Sequence, residues 1–167
     1  TCRLFLFPPG TVWVGPATGN WTVSTNWRGT GGDRYVDLFD FQNTHTTMNG
    51  NYTVQTLHVG TGDRVDMAGQ LTVNGGIKNA GLVRTRAEGD TSGGVRYVNI
   101  NGQAVFEGPG RFVIAGAARN QILPGTVAPQ ELTVAAGHEI TTTADTYGGY
   151  QGSSIHARLV NHGTLTA

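Results

Sequence analysis

The densest group of acids in the chain is Asp33, Asp37 and Asp40. Paired carboxylates hydrolyse glycosides, and clustered ones hold calcium. Asp37 and Asp40 differ by three, so on a regular strand they leave opposite faces, and a paired acid and base is not indicated. The five histidines, His45, His58, His138, His156 and His162, show no His-x-His or His-x-x-x-His spacing, and Cys2 is the only cysteine. Zinc ligation and an internal disulfide are therefore not expected. Ser24 and the pair Ser153 and Ser154 stand in no nucleophile-elbow context. Gly60-Thr-Gly-Asp63 reads as a turn, because no Gly-Lys-Ser/Thr follows it. The expectation is a chain without catalytic residues, metal or cofactor, and so not an enzyme.

The aromatic residues offer a second chemistry. Trp13, Trp21 and Trp27, with Tyr35, could make a sugar-stacking platform, or they could cap or plug an apolar core. Asn20-Trp-Thr22 and Asn51-Tyr-Thr53 match the N-glycosylation pattern. Thr141-Thr-Thr143 reads as exposed β-branched strand residues or as O-linked sugar acceptors.

Composition narrows what can position these residues. At 167 residues the chain suits one domain. Its charged fraction of 13% is about half the usual share, and 26 glycines stand among many Thr, Asn, Gln and Ser residues. That mix favours short strands and tight turns over helices. Net charge is zero, with Lys78 the only lysine, so no field draws nucleic acid or an anionic membrane. No apolar stretch approaches the ~20 residues of a membrane span, so membrane insertion is not expected.

Short β-rich pieces recur from Tyr52 onward. Examples are Tyr52-Thr-Val, Thr56-Leu-His-Val59, Arg64-Val-Asp-Met67, Gln70-Leu-Thr-Val73, Arg111-Phe-Val-Ile114, Glu131-Leu-Thr-Val134 and Glu139-Ile-Thr-Thr142. Gly and Asn turns separate them, as at Asn74-Gly-Gly76, Asn101-Gly102 and Gly108-Pro-Gly110. No segment keeps a helical apolar period for three turns. Two echoes stand out. Leu71-Thr-Val-Asn-Gly-Gly-Ile77 resembles Leu132-Thr-Val-Ala-Ala-Gly137, and Ile77-Lys-Asn-Ala-Gly-Leu-Val-Arg84 resembles Leu159-Val-Asn-His-Gly-Thr-Leu-Thr166.

A short strand that ends in Asn-x-Gly and starts again on another face is the unit of a coil. The fold expected is therefore all-β, a right-handed parallel β-helix or β-solenoid. Its rungs of roughly 20 residues would number about six or seven. An antiparallel β-sandwich is the runner-up. The expected organisation is an N-terminal strand or extension over 1–10, a Trp-rich cap with the first strands over 11–51, and rungs over 52–167.

Trp13-Val-Gly, Gly19-Asn-Trp21 and Asn26-Trp27, then a Gly-rich loop and an Asp-containing strand, resemble the opening of bacterial secreted parallel β-helix surface proteins, the autotransporter-like and planctomycete-type ones. Tyr52-Thr-Val-Gln-Thr-Leu-His-Val59, Gln70-Leu-Thr-Val73 and the stretch from Glu139 to Leu165 resemble their rungs. The resemblance implies an extracellular or cell-surface location and a structural, adhesive or matrix role, and it carries over no catalytic residue. Such proteins are usually much longer, so the chain is expected to be a fragment or a subunit that gains length by assembly.

The apolar run Leu4, Phe5, Leu6 and Phe7 and the last rung's Leu159 and Leu165 are the candidate assembly residues, joining copies head to tail through strand complementation. The function expected is a structural subunit of an extracellular filament, matrix or cell-surface assembly. The alternative is a carbohydrate-binding or adhesive module of a larger surface protein, with polysaccharide contacts at Trp13, Trp21 and Trp27.

Overall fold

Alternation with a period of two sends every second side chain of a strand inward. This chain applies that rule in short pieces which pair in parallel. The computed structural model describes residues 10–36, 43–87, 94–115, 120–143 and 153–167. The expectations for Leu4, Phe5, Leu6, Phe7, Cys2, Asp37 and Asp40 lie outside these residues.

The strands are β1 (Thr11–Trp13), β2 (Thr18–Asn20), β3 (Trp27–Arg28), β4 (Arg34–Val36), β5 (His45–Met48), β6 (Tyr52–Val59), β7 (Arg64–Met67), β8 (Leu71–Asn79) and β9 (Leu82–Arg84). They continue as β10 (Arg96–Ile100), β11 (Gln103–Glu107), β12 (Arg111–Ile114), β13 (Asn120–Pro124), β14 (Glu131–Val134), β15 (Glu139–Thr142), β16 (Ser154–Ile155), β17 (Arg158–Asn161) and β18 (Thr164–Thr166). One 3-10 turn, Ser24–Asn26, is the only helical element among the described residues.

Two sheets hold these strands. The larger runs β16-β13-β10-β8-β6-β4-β1-β3, with β11, β14 and β17 branching from β8; the smaller runs β18-β15-β12-β9-β7-β5-β2. From β4 onward the chain passes back and forth between the sheets, in single strands up to β9 and then with two consecutive strands in the larger sheet at β10 and β11, β13 and β14, and β16 and β17; each return adds a strand beside an earlier one. Fifteen of the sixteen pairings among the described residues are parallel, β3 against β1 being the exception. The all-β, parallel-sheet architecture matches the expectation, and the antiparallel sandwich does not survive it. Asn101-Gly102 looks like a hairpin turn, yet β10 and β11 do not pair with each other. Both lie on β8, β10 along Leu71–Val73 and β11 along Gly76–Lys78. Gly102, at φ 65°, turns the corner between them.

Register turns alternation into aliphatic ladders. Val65, Val83, Phe112, Ile140 and Leu165 follow one another across the smaller sheet. Tyr52, Leu71, Val98, Ile122 and Ile155 do so in the larger one. Most members are fully buried, and each such aliphatic side chain contributes about 1.5–3 kcal/mol. One cluster of buried side chains extends from Trp13 to Ala157, so the core continues across the expected boundary at 51/52. Close stacking demands small residues where strands bend. A Cβ on Gly76 would stand 2.2 Å from the Val105 carbonyl oxygen, a contact no side chain tolerates.

Both sequence echoes occupy strands, with different consequences. Asn79 and Asn161 build the same turn, each Oδ1 accepting the N–H two residues on, from Gly81 at 3.0 Å and from Gly163 at 3.1 Å. Leu71 and Leu132 are not equivalent: Leu71 stacks on Val98, whereas Leu132 stacks on Ala104, beyond the corner.

Candidate functional site

Outward-facing residues obey the same register. Val36, Leu57, Val59, Ile77 and Phe106 point inward and are buried, so their neighbours Tyr35, His58, Lys78 and Glu107 point out. Pairing of β4 with β6, β6 with β8 and β8 with β11 sets these four side chains in one row across the strands. Neighbours in such a row are about 4.8 Å apart. They line a groove of ≈ 400 Å³, with Gly60, Ala80 and Gly108 at the bend beside them.

The Tyr35 and His58 rings stack, with centroids 4.1 Å apart and planes 17° from parallel. Asp33 lies behind them. Its Oδ1 accepts the Thr56 N–H at 3.0 Å, and its Oδ2 is 3.9 Å from His58 Nε2. Burial pushes the His58 pKa down, against the opposing pull of Asp33, so the ring is neutral at pH 7. Burial, with Asp33 next, pushes the Tyr35 phenol up. Lys78 Nζ meets Glu107 Oε1 at 3.3 Å in an exposed pair, which such geometry makes worth little. The groove thus offers a neutral imidazole, a phenol and a self-compensated ion pair over a backbone floor. That set can hydrogen-bond a ligand; its lining contains no serine, threonine or cysteine nucleophile.

The tryptophans are elsewhere in purpose. Trp13 and Trp21 are only 5% and 2% exposed. Trp27 stands edge-on to both, with centroids at 5.0 and 5.1 Å. The indole N–H groups are satisfied internally: Trp13 donates to the Pro16 carbonyl, Trp21 to Thr46 Oγ1 and Trp27 to the Trp21 carbonyl. The rings surround the inward-pointing Arg34, whose guanidinium carbon lies 4.6 Å from the Trp27 centroid, 5.4 Å from Trp21 and 5.1 Å from Tyr52. A sugar has no open face to stack on at Trp13 or Trp21.

Of the other sequence candidates, Leu159 and Leu165 are 37% and 42% exposed, the last members of their ladders among the described residues. Asp33 joins the groove. His45 pairs with Asp66 at 2.7 Å, His138 is buried, and His162 is exposed. Ser154 Oγ is 2.8 Å from His156 Nε2, with Gln121 donating to the same hydroxyl at 2.9 Å. The i, i+2 spacing of Ser154 and His156 could have revealed that contact. No carboxylate orients the ring among the described residues. Nor do three His, Cys, Asp or Glu side chains converge there in a way that could hold a metal. No helix of the described residues is long and apolar enough to cross a membrane. Comparison with protein-family models, with curated proteins and with solved structures finds no match in any of the three.

Proposed function

We propose that the chain winds as a right-handed parallel β-helix and serves as a structural subunit of an extracellular filament, matrix or cell-surface assembly, its copies joined head to tail. Alternation of the chain between two parallel sheets supports the winding. Crossovers between parallel strands of one sheet are right-handed in nearly all proteins, which supports the hand. The resemblance of the Trp13 to Trp27 segment to secreted bacterial surface proteins supports the extracellular placement.

One observation carries the assembly. Among the described residues, Leu159 and Leu165 are the last members of ladders whose preceding members, Leu132 and Ile140, are buried. The outer edges of β16, β17 and β18 have no partner strand among the described residues. Unpaired edges above exposed apolar side chains invite a further rung. The smaller sheet's opposite edge, β2, is likewise paired on one side only among the described residues, so β18 of one copy can continue into β2 of the next. Contacts of this heterologous kind do not close on themselves and produce filaments.

Sedimentation velocity over a concentration series tests the reading. The protein should grow in mass with concentration, and a Leu159→Asp/Leu165→Asp variant should remain a single chain. Far-ultraviolet circular dichroism and a thermal midpoint matching the unmodified protein establish that the variant keeps its fold, so that lost assembly is not lost folding. Unmodified protein that stays a single chain at every concentration overturns the assembly.

A further inference from the structure

We propose that His138 makes the head-to-tail joint sensitive to acid: the joint holds while this buried ring is neutral, and protonation releases β18, the strand that meets the next copy. The inference rests on the assembly proposed above and adds its regulation. Asp63, Gly81, Gly110 and His138 hold the same place in successive corners. Each carbonyl accepts the first N–H of the next strand in the stack, from Leu82 at 2.9 Å, Arg111 at 3.0 Å, Glu139 at 3.4 Å and Thr164 at 3.0 Å. Thr164 opens β18, and the exposed Leu165 follows it. Gly163 packs so tightly against the corner at 135–138 that a Cβ on it would run into the His138 and Ala135 carbonyl oxygens. The main chain of His138 therefore sets where β18 lies.

The ring decides whether that main chain can stay. It is 0% exposed and stands edge-on to Phe106, with centroids 6.2 Å apart. Its Nδ1 donates to the Gly108 carbonyl at 3.2 Å, and its Nε2 has no hydrogen-bond partner among the described residues. A neutral ring tolerates this, because Nε2 then carries no proton. A protonated ring has a second N–H and a positive charge, and burying them without an acceptor is strongly unfavourable. The charged ring must leave the corner, and the carbonyl that holds Thr164 moves with it.

Charges on the surrounding elements do not prevent this. Burial holds the ring below its ordinary 6.5, against the smaller opposing effects of the Gly108 bond and of Glu139 on β15. The other charged or titratable side chains on the elements packed around it are Glu107 on β11, Arg111 on β12, Glu131 on β14, Arg158 on β17 and His162 in the last corner. Glu107 pairs with Lys78 and Glu131 with Arg158, while Arg111 and His162 are exposed. Inward positions on these strands are apolar, Phe106, Phe112, Val134 and Ile140 among them. Because the folded chain favours the neutral ring, the joint is intact above about 6.5 and weakens as pH falls from there.

Two measurements on the full chain test this. Amide hydrogen exchange, read by mass spectrometry and corrected for the intrinsic rate at each pH, compares peptides covering Thr164 and Arg111. From pH 7.5 to pH 5, protection at Thr164 should fall roughly tenfold or more, while Arg111, whose corner carries Gly81 and Gly110, should change far less. Sedimentation velocity at one concentration should show assemblies at pH 7.5 and mostly single chains at pH 5. His138→Gln should keep the assemblies at pH 5, and His162→Gln should behave as the unmodified protein does. The exchange comparison needs no variant, so it decides the matter even where His138→Gln does not fold. Protection at Thr164 that stays constant or falls in step with Arg111 overturns the inference, as does equal loss of assembly at pH 5 in His138→Gln. Single chains at pH 7.5 defeat the assembly itself, whereas assemblies that persist unchanged at pH 5 defeat this inference alone.

Discussion

The guanidinium carbon of Arg34 lies 4.6 Å from the centre of the Trp27 ring, on the inward face of β4. Trp21 and Tyr52 complete the enclosure. A cation occupies a ladder position that Leu57, Ile77 and Phe106 fill in later strands. Ring quadrupoles replace part of the water that Arg34 gives up, and burial lowers its pKa.

Arg34→Ala should therefore cost about 2–3 kcal/mol in urea unfolding, because it removes the cation and leaves a void among three rings. Arg34→Lys should cost less, since charge remains but planar stacking is lost. Tryptophan fluorescence should shift to the red in the alanine variant. Unchanged stability in Arg34→Ala would show that the rings pack without it.

The two Asn-x-Gly turns separate burial from local geometry. Asn79 is buried and also donates from Nδ2 to the Arg111 carbonyl at 3.0 Å, tying its turn to the next strand. Asn161 is exposed and serves only its own turn among the described residues. Asn79→Ala should cost about 1–3 kcal/mol by emptying a buried position and stranding the part-buried Gly81 N–H and Arg111 carbonyl, and Asn161→Ala less than about 1 kcal/mol. Equal losses on thermal unfolding would contradict this difference.

Acid should weaken the fold through one buried imidazole, His138, and one half-buried one, His58. His138 is fully buried against Phe106, and its Nδ1 donates to the Gly108 carbonyl at 3.2 Å. Burial holds its pKa below the ordinary 6.5, against the opposing Gly108 hydrogen bond and Glu139, and burial does the same for His58. The unfolded chain takes up these protons first as pH falls. The stability is complete above about 6.5 and is lost as pH drops from there toward the folded-state values. Urea midpoints at pH 7.5 and 5.5 should differ, and His138→Gln should narrow the gap. A gap of the same size in that variant would assign the pH dependence to other groups.

Strands with apolar or β-branched residues at alternate positions were legible at residue level. Arg111–Ile114, Glu131–Val134 and Glu139–Thr142 begin and end where their patterns do. His45–Met48 was not, because Thr46 takes an inward position through its bond with the Trp21 indole, which hydropathy does not encode. Asn120–Pro124 hid behind its terminal proline. The candidate groove was not legible at all. Tyr35, His58, Lys78 and Glu107 are neighbours only through register, and the step between stacked residues lengthens where the corner loop enters. His45 stacks on Arg64, but Leu82 stacks on Arg111. A uniform rung of roughly 20 residues misplaces every later outward side chain. Trp13, Trp21 and Trp27 were legible as a group, but the arginine they enclose was not.

The most direct measurement is cryo-electron microscopy of the concentrated protein. Filaments in which the ~4.8 Å strand spacing runs unbroken through each subunit boundary, with β18 of one copy against β2 of the next, are the predicted result. Single-chain particles, or filaments whose strands pair in antiparallel hairpins, would contradict it.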